Sequence, residues 1–167
     1  MITLASRIAR GTLVALRTLW TVWFTLGLAL VVGELLIGMP WPMVLTLALA
    51  FVSLPVSIIV HEVGHVWAAA ALGIKGLRLE RTGLTVAVSN PRSTPSQDAA
   101  VAAGGPMMSA AIGGLVAVVE LLWPTGMAIA PAVIIGCASL SLLPFLGDGR
   151  EFWGWARSAG SAPARNG

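Results

Sequence analysis

Three observations predict an all-α membrane protein with four transmembrane helices: few charged residues, four long apolar stretches, and basic residues confined to one side. Hydrophobic residues make up 57% of the 167 residues and charged residues only 10%. Soluble domains carry about 25% charged residues. The mean hydropathy is +0.89. Because so few charges cannot cover a surface in water, we expect the bilayer to be part of the solvent of this chain.

Four apolar stretches are long enough to cross a bilayer, which takes about 20 residues per helix. They cover residues 14–38, 43–72, 98–123 and 127–146. Short breaks that contain proline separate the first pair and the last pair, which predicts two helical hairpins with the polar segment 73–97 between them. The first stretch is far longer than the core of a signal peptide, so we expect it to be retained as a helix.

All ten Lys and Arg residues fall on one side of this four-helix arrangement. The positive-inside rule therefore predicts a multi-pass protein of the cell (inner) membrane, with both termini and the segment 73–97 in the cytoplasm. The net charge of +3 does not indicate a nucleic-acid partner, because the arginines are scattered between apolar runs instead of forming a basic face.

The segment between the second and third predicted helices favours a small β-hairpin. Apolar and polar residues alternate over 77–80 and 84–88, and a short turn with Gly83 joins the two runs. We expect residues 1–157 to form a single integral-membrane domain and residues 158–167, which are small and polar, to form a disordered tail.

The chemically reactive residues concentrate in His61-Glu62-Val63-Gly64-His65. Residues i and i+4 of a helix lie on one face, so both imidazoles can reach one metal ion. The glutamate then stands beside the ion, where it can take a proton from water, which is the chemical logic of the HExxH motif. Ionisable residues are costly inside an apolar span, and the chain has no other histidines. Both facts favour a metal site over two histidines that only satisfy hydrogen bonds.

A catalytic zinc ion usually has three protein ligands and one open position. Depth along the helices selects the third ligand, because His61 lies about 27 Å from the outer end of its helix, close to the cytoplasmic side. Asp148, at the cytoplasmic end of the fourth helix, matches this depth, with a plain turn residue as the alternative. Asp98 is the weaker candidate, since any helix N-terminus favours a negative charge. Glu34 and Glu120 are expected near the opposite side.

Three motifs, in this order, resemble the site-2 protease family of intramembrane zinc metalloproteases. They are HEVGH in an apolar helix, AAGGPMMSA at 102–110 and SLLPFLGDGR at 141–150. The resemblance covers residues 43–152. It implies a zinc-dependent endopeptidase that hydrolyses membrane-embedded protein substrates through a metal-activated water, and a hairpin that helps to present the substrate.

The resemblance also implies roles for individual residues. One zinc ion would be bound by His61, His65 and Asp148, and Glu62 would be the general base. The family usually carries Asn at two positions where this chain has Ser109 and Ser141, and these positions are assigned to substrate binding. The spacing between Pro144 and Asp148 is one residue shorter than is usual in the family.

Other functions fit the sequence less well. The alternative is a proteolytically inactive metal-binding membrane scaffold of the same fold. An intact Glu62 argues against a scaffold, because a scaffold needs no general base. Ser109 and Ser141, which replace the usual asparagines, argue for it. A metal transporter would need further ligands along a pathway, and a di-iron oxidase would need many more histidines. The expected partners are a transmembrane protein substrate and the lipid bilayer, and the sequence specifies no oligomeric state.

Overall fold

The computed structural model describes residues 17–74, 78–82, 85–89 and 94–160. The described chain is predominantly helical, which confirms the predicted helical class. In chain order the elements are α1 (Arg17–Leu36), α2 (Trp41–Ala71), β1 (Arg78–Thr82), β2 (Thr85–Ser89), α3 (Pro95–Leu122), α4 (Ile129–Cys137), a 3₁₀ helix (Ala138–Leu142) and α5 (Gly147–Gly160).

Two helices, α2 and α3, are long and apolar enough to cross a membrane. A third candidate consists of the segment Ile129–Leu142 and α5, which meet at an angle of 41°. In α1 the apolar part among the described residues is Trp23–Leu36, which is shorter than a span requires. The predicted first span, 14–38, begins outside the described residues. The described residues therefore contain two or three candidate spans, where the sequence of the whole chain predicts four. Helices of this length and composition are consistent with a membrane protein.

The fourth predicted span, 127–146, is wrong as a continuous helix. α4 ends at Cys137, the 3₁₀ helix ends at Leu142, and Leu143 has an extended backbone with φ −62° and ψ 142°. The reason is Pro144, whose ring disfavours the helical conformation for the residue before it. The helical path is thus interrupted just before the residues that lead to Asp148.

The helix α5 also corrects the predicted tail. It continues to Gly160, so the first three residues of the segment predicted to be disordered are helical. Residues 161–167 lie outside the described part of the chain, as do residues 1–16. The assignment of 1–157 to one domain stays a prediction.

The two strands pair antiparallel in a register that joins Arg78 to Ser89 and Thr82 to Thr85. They lie in the segment for which the sequence predicts a hairpin. After them α3 begins with a capping box: the Gln97 N–H donates to the Thr94 hydroxyl at 3.3 Å, and the Thr94 N–H donates to the Gln97 side chain at 3.0 Å.

Small residues bring α2 and α3 into close contact. A Cβ atom added at Gly64 would lie 2.7 Å from the Met108 Cβ and 2.8 Å from the Gly105 Cα. Further along α3, a Cβ at Gly113 would lie 2.7 Å from the Gly136 nitrogen of α4. Glycine is required at these crossings because a side chain would push the two backbones apart. The tight α2–α3 crossing places the HExxH motif directly against α3.

The opposite end of α3 is held by Glu120. Its carboxylate accepts hydrogen bonds from the Thr125 hydroxyl and the Ala128 N–H, each at 3.0 Å, and from the Gly126 N–H. A carboxylate that accepts several donors at the start of a helix satisfies N–H groups that otherwise lack partners. Glu120 therefore fixes the connection from α3 to α4, and it takes no part in the cluster described next.

Candidate metal centre

Two histidines and one aspartate bring their ligand atoms together. His61 and His65 lie one turn apart on α2, and Asp148 lies in the first turn of α5. His61 Nε2 is 3.0 Å from Asp148 Oδ2, and His65 Nε2 is 3.7 Å from Asp148 Oδ1. The two Nε2 atoms are 3.2 Å apart. One ligand atom from each residue lies within 4.8 Å of the others, so the three residues can hold a metal ion.

The spacing of these atoms fits a tetrahedral ion. With metal–ligand bonds of about 2.0–2.1 Å, two ligand atoms of a tetrahedral zinc site lie about 3.3 Å apart. The separations of 3.0 and 3.2 Å at His61 Nε2 lie close to that value, and the longer contact of 3.7 Å lies within a small side-chain adjustment of it. Two imidazoles and a carboxylate are also a donor set that suits zinc. The donor atoms thus fit the ion that the HExxH motif implies.

The orientation of His65 is fixed from α3. Its Nδ1–H donates to the backbone carbonyl of Val101 at 2.7 Å. Because a carbonyl can only accept, the proton of the neutral ring must sit on Nδ1, and the lone pair of Nε2 is free to bind a metal. The ring lies over Gly105, where an added Cβ would come within 2.6 Å of the His65 Cε1. A backbone carbonyl and a missing side chain therefore hold this ligand.

The other imidazole is backed by a hydroxyl. The Ser109 Oγ is 3.4 Å from His61 Nδ1, and Ser109 is fully buried. When His61 Nε2 offers its lone pair, Nδ1 carries the proton and donates to this hydroxyl. Ser109 therefore stands behind His61 in this structure, and its assignment to substrate binding stays a prediction.

The contacts from α3 share one regular spacing. Val101, Gly105 and Ser109 are four residues apart, so they form one stripe on the helix facing α2. Nothing in the sequence marks Val101 as a functional residue, whereas Gly105 lies within the motif AAGGPMMSA at 102–110. The four-residue spacing of small residues on α3 is a sequence signal for close packing of helices. The atoms that contact the histidines, however, depend on how α2 and α3 cross.

Glu62 is a buried acidic side chain on α2. It follows His61 on α2 and is only 7% exposed. It lies near enough to His61 and Asp148 to interact electrostatically with both. Its carboxyl group is therefore a buried acidic group close to the three residues that could hold a metal ion.

Asp148 reaches the histidines with both carboxylate oxygens and is the most open member of the cluster, with a side chain 25% exposed against 14% for His61 and 11% for His65. Ser141, on the 3₁₀ helix, lies beside it. The buried Ser141 hydroxyl oxygen is close enough to the Asp148 carboxylate to interact with it, although no hydrogen bond of good geometry joins the two. Its assignment to substrate binding also stays a prediction.

The weaker ligand candidate, Asp98, is exposed in the first turn of α3 and is not part of the cluster.

Comparisons of the chain with protein-family models, with curated proteins and with solved structures found no match.

Proposed function

We propose that this protein is a zinc-dependent intramembrane endopeptidase of the site-2 protease kind. One observation carries the proposal: the Nε2 atoms of His61 and His65 and the carboxylate of Asp148 converge at the spacing of a tetrahedral ion, beside a buried Glu62. The two histidines and the glutamate lie on α2, which is long and apolar enough to cross a membrane. A hydrolytic centre on such a helix suits peptide bonds within or next to the bilayer.

The residues of the chain divide the chemistry among them. When bound, a zinc ion would supply Lewis acidity, which polarises a carbonyl group and makes water acidic near neutral pH. His61, His65 and Asp148 would hold it and leave one position open. Glu62 would take the proton from the attacking water and return it to the leaving amine. Val101 and Ser109 would keep both imidazoles in the tautomer that binds metal.

The topology of the proposed enzyme follows from the charge distribution. We place four spans, as predicted from the sequence, in the cell (inner) membrane, with both termini in the cytoplasm. On this arrangement the β1–β2 hairpin lies on the same side as the metal centre. Its edge would pair with an extended segment of a transmembrane protein substrate, as exposed strands do in peptide recognition.

The test compares the wild-type protein with Glu62→Gln, His65→Ala and Asp148→Ala after purification in detergent. Metal content measured by mass spectrometry should be about one zinc per chain for the wild type and for Glu62→Gln, and should fall for the two ligand variants. Cleavage is then assayed with a panel of single-span transmembrane peptides in proteoliposomes. The Glu62→Gln rate should fall by about 10²- to 10⁴-fold, because the general base is lost while the ligands remain.

The outcome that contradicts the proposal is equal cleavage by the wild type and Glu62→Gln, or a wild type without bound metal.

One observation favours a second function, a metal-binding scaffold without proteolytic activity: the Ser109 hydroxyl, at a position assigned to substrate binding, is buried against His61. A wild type that binds one zinc ion and cleaves no peptide of the panel would support the scaffold.

A further inference from the structure

The position of Asp148 depends on a break in the chain. Unlike the two histidines, which share one continuous helix, Asp148 follows the extended residue Leu143 and the turn that leads into α5. Within this turn the Leu146 N–H donates to the Leu143 carbonyl at 2.9 Å. A short turn of this kind allows the following helix several orientations, so other contacts must decide where the carboxylate points.

Two contacts tie α5 back across the break. The indole N–H of Trp153 donates to the carbonyl oxygen of Leu142 at 3.0 Å. At Gly149 the helix lies against the backbone of the break so closely that an added Cβ would collide with the Leu143 carbonyl oxygen and would come within 2.5 Å of the Leu142 oxygen. Both contacts are made to Leu142 and Leu143, the last residues before the turn, and both come from residues that follow Asp148 on α5.

We propose that Trp153 and Gly149 are positioning residues for the third ligand: together they hold α5 against the end of the 3₁₀ helix and thereby set the distance from Asp148 to the histidines. This inference rests on the proposed metal site. The hydrogen bond from Trp153 to Leu142 closes a loop that contains the whole break and Asp148. Without it, the packing of α5 against α3 and the 3₁₀ helix remains, but α5 is less firmly held at the break, and the contact of 3.7 Å between Asp148 Oδ1 and His65 Nε2 can lengthen.

The chain offers a matched control for each residue. Trp155 lies on the same helix and, like Trp153, contacts the ring of Phe152, but among the described residues its indole makes no hydrogen bond. Gly154 also lies on α5, and an added Cβ there would meet no atom within 4 Å. Substitution of these two residues removes no hydrogen bond across the break and adds no collision there.

The first experiment measures zinc affinity by competition with a chromophoric chelator for full-length Trp153→Phe and Trp155→Phe. Phenylalanine keeps an aromatic ring but removes the N–H. We expect Trp153→Phe to bind zinc about two- to tenfold more weakly than the wild type, as the loss of one hydrogen bond allows, and Trp155→Phe to match the wild type. Equal affinities for the two variants would overturn the inference.

The second experiment asks whether the effect acts through Asp148. In an Asp148→Asn background, which keeps one oxygen donor, Trp153→Phe should cause little further loss of zinc affinity, because the two changes remove the same interaction. A full additive loss would mean that Trp153 supports the fold in general and would refute its role as a positioning residue. The absorption spectrum of the Co²⁺-loaded protein should show the same dependence.

The glycine pair tests the same idea with a larger displacement. Gly149→Ala should weaken zinc binding more than Trp153→Phe does, and Gly154→Ala should not weaken it. If Gly149→Ala does not fold, the tryptophan pair decides. A wild type that binds no zinc would overturn both the proposed function and this inference, whereas zinc binding that is indifferent to all four substitutions would overturn the inference alone.

Discussion

The contact between α2 and α3 at Gly64 gives the sharpest test of how helix packing supports the metal centre. In Gly64→Ala the new Cβ would lie 2.7 Å from the Met108 Cβ. Two carbon atoms in favourable contact are about 3.5–4.0 Å apart, so the helices must separate locally by about 1 Å. Gly64 immediately precedes His65, so the displacement acts directly on a proposed ligand.

The expected magnitude follows from the bond that crosses this interface. The His65 Nδ1–H reaches the Val101 carbonyl at 2.7 Å. A separation of about 1 Å would stretch this distance to about 3.7 Å, which is no longer a hydrogen bond. Loss of such a partner of a metal-binding histidine typically lowers metal affinity by about 10- to 100-fold. Overpacking should also destabilise the fold by about 1–3 kcal/mol, which the higher helix propensity of alanine offsets by about 1 kcal/mol.

The assay is zinc affinity and thermal unfolding of the detergent-purified protein, with Gly114→Ala as the matched control. Gly114 is exposed on α3, and an added Cβ there would meet no atom within 4 Å. The control gains helix propensity without any collision, so it should bind zinc as the wild type does. Zinc affinities of Gly64→Ala and Gly114→Ala that agree within twofold would show that the α2–α3 crossing does not support the metal centre.

Two further substitutions separate the support of the site from the support of the fold. Ser109→Ala should lower zinc affinity by about tenfold, near the weak end of such effects, because the contact of Ser109 to His61 is long at 3.4 Å. Ser53→Ala is the control and should leave the affinity unchanged, because the Ser53 hydroxyl donates to a carbonyl of its own helix. Equal affinities of the two variants in a chelator competition would contradict the role of Ser109. Glu120→Gln should lower the midpoint of thermal unfolding and leave zinc affinity unchanged, because the hydrogen bonds of Glu120 join α3 to α4 away from the cluster. A change in zinc affinity would show that the two ends of α3 are coupled.

The sequence predicted the parts of this structure that depend on local pattern. Apolar runs of sufficient length gave the positions of α2 and α3 to within a few residues. The spacing of His61 and His65 placed both on one helical face, since a helix repeats every 3.6 residues whatever surrounds it. Depth along the helices was enough to select Asp148 over Asp98, because helices of known direction bring particular residues to the same level.

Features that depend on how elements meet could not be obtained in this way. The break at Leu143 follows from Pro144, but only the tertiary structure shows how Trp153 and Gly149 close it and where Asp148 then points. In the same way, the sequence presents Ser109 as a candidate for substrate, whereas the packed helices place its hydroxyl behind His61.

What the sequence determined by itself was therefore the set of residue types: two imidazoles and a neighbouring carboxylate on one apolar helix, and a second carboxylate just after the last apolar run, because residue type and spacing along a helix are local properties. What only the tertiary structure decided was the geometry, because distances between ligand atoms depend on the crossing of α2 with α3 and on the turn before α5. These contacts join residues far apart in the chain, and their separations are set by close packing and not by any repeat in the sequence.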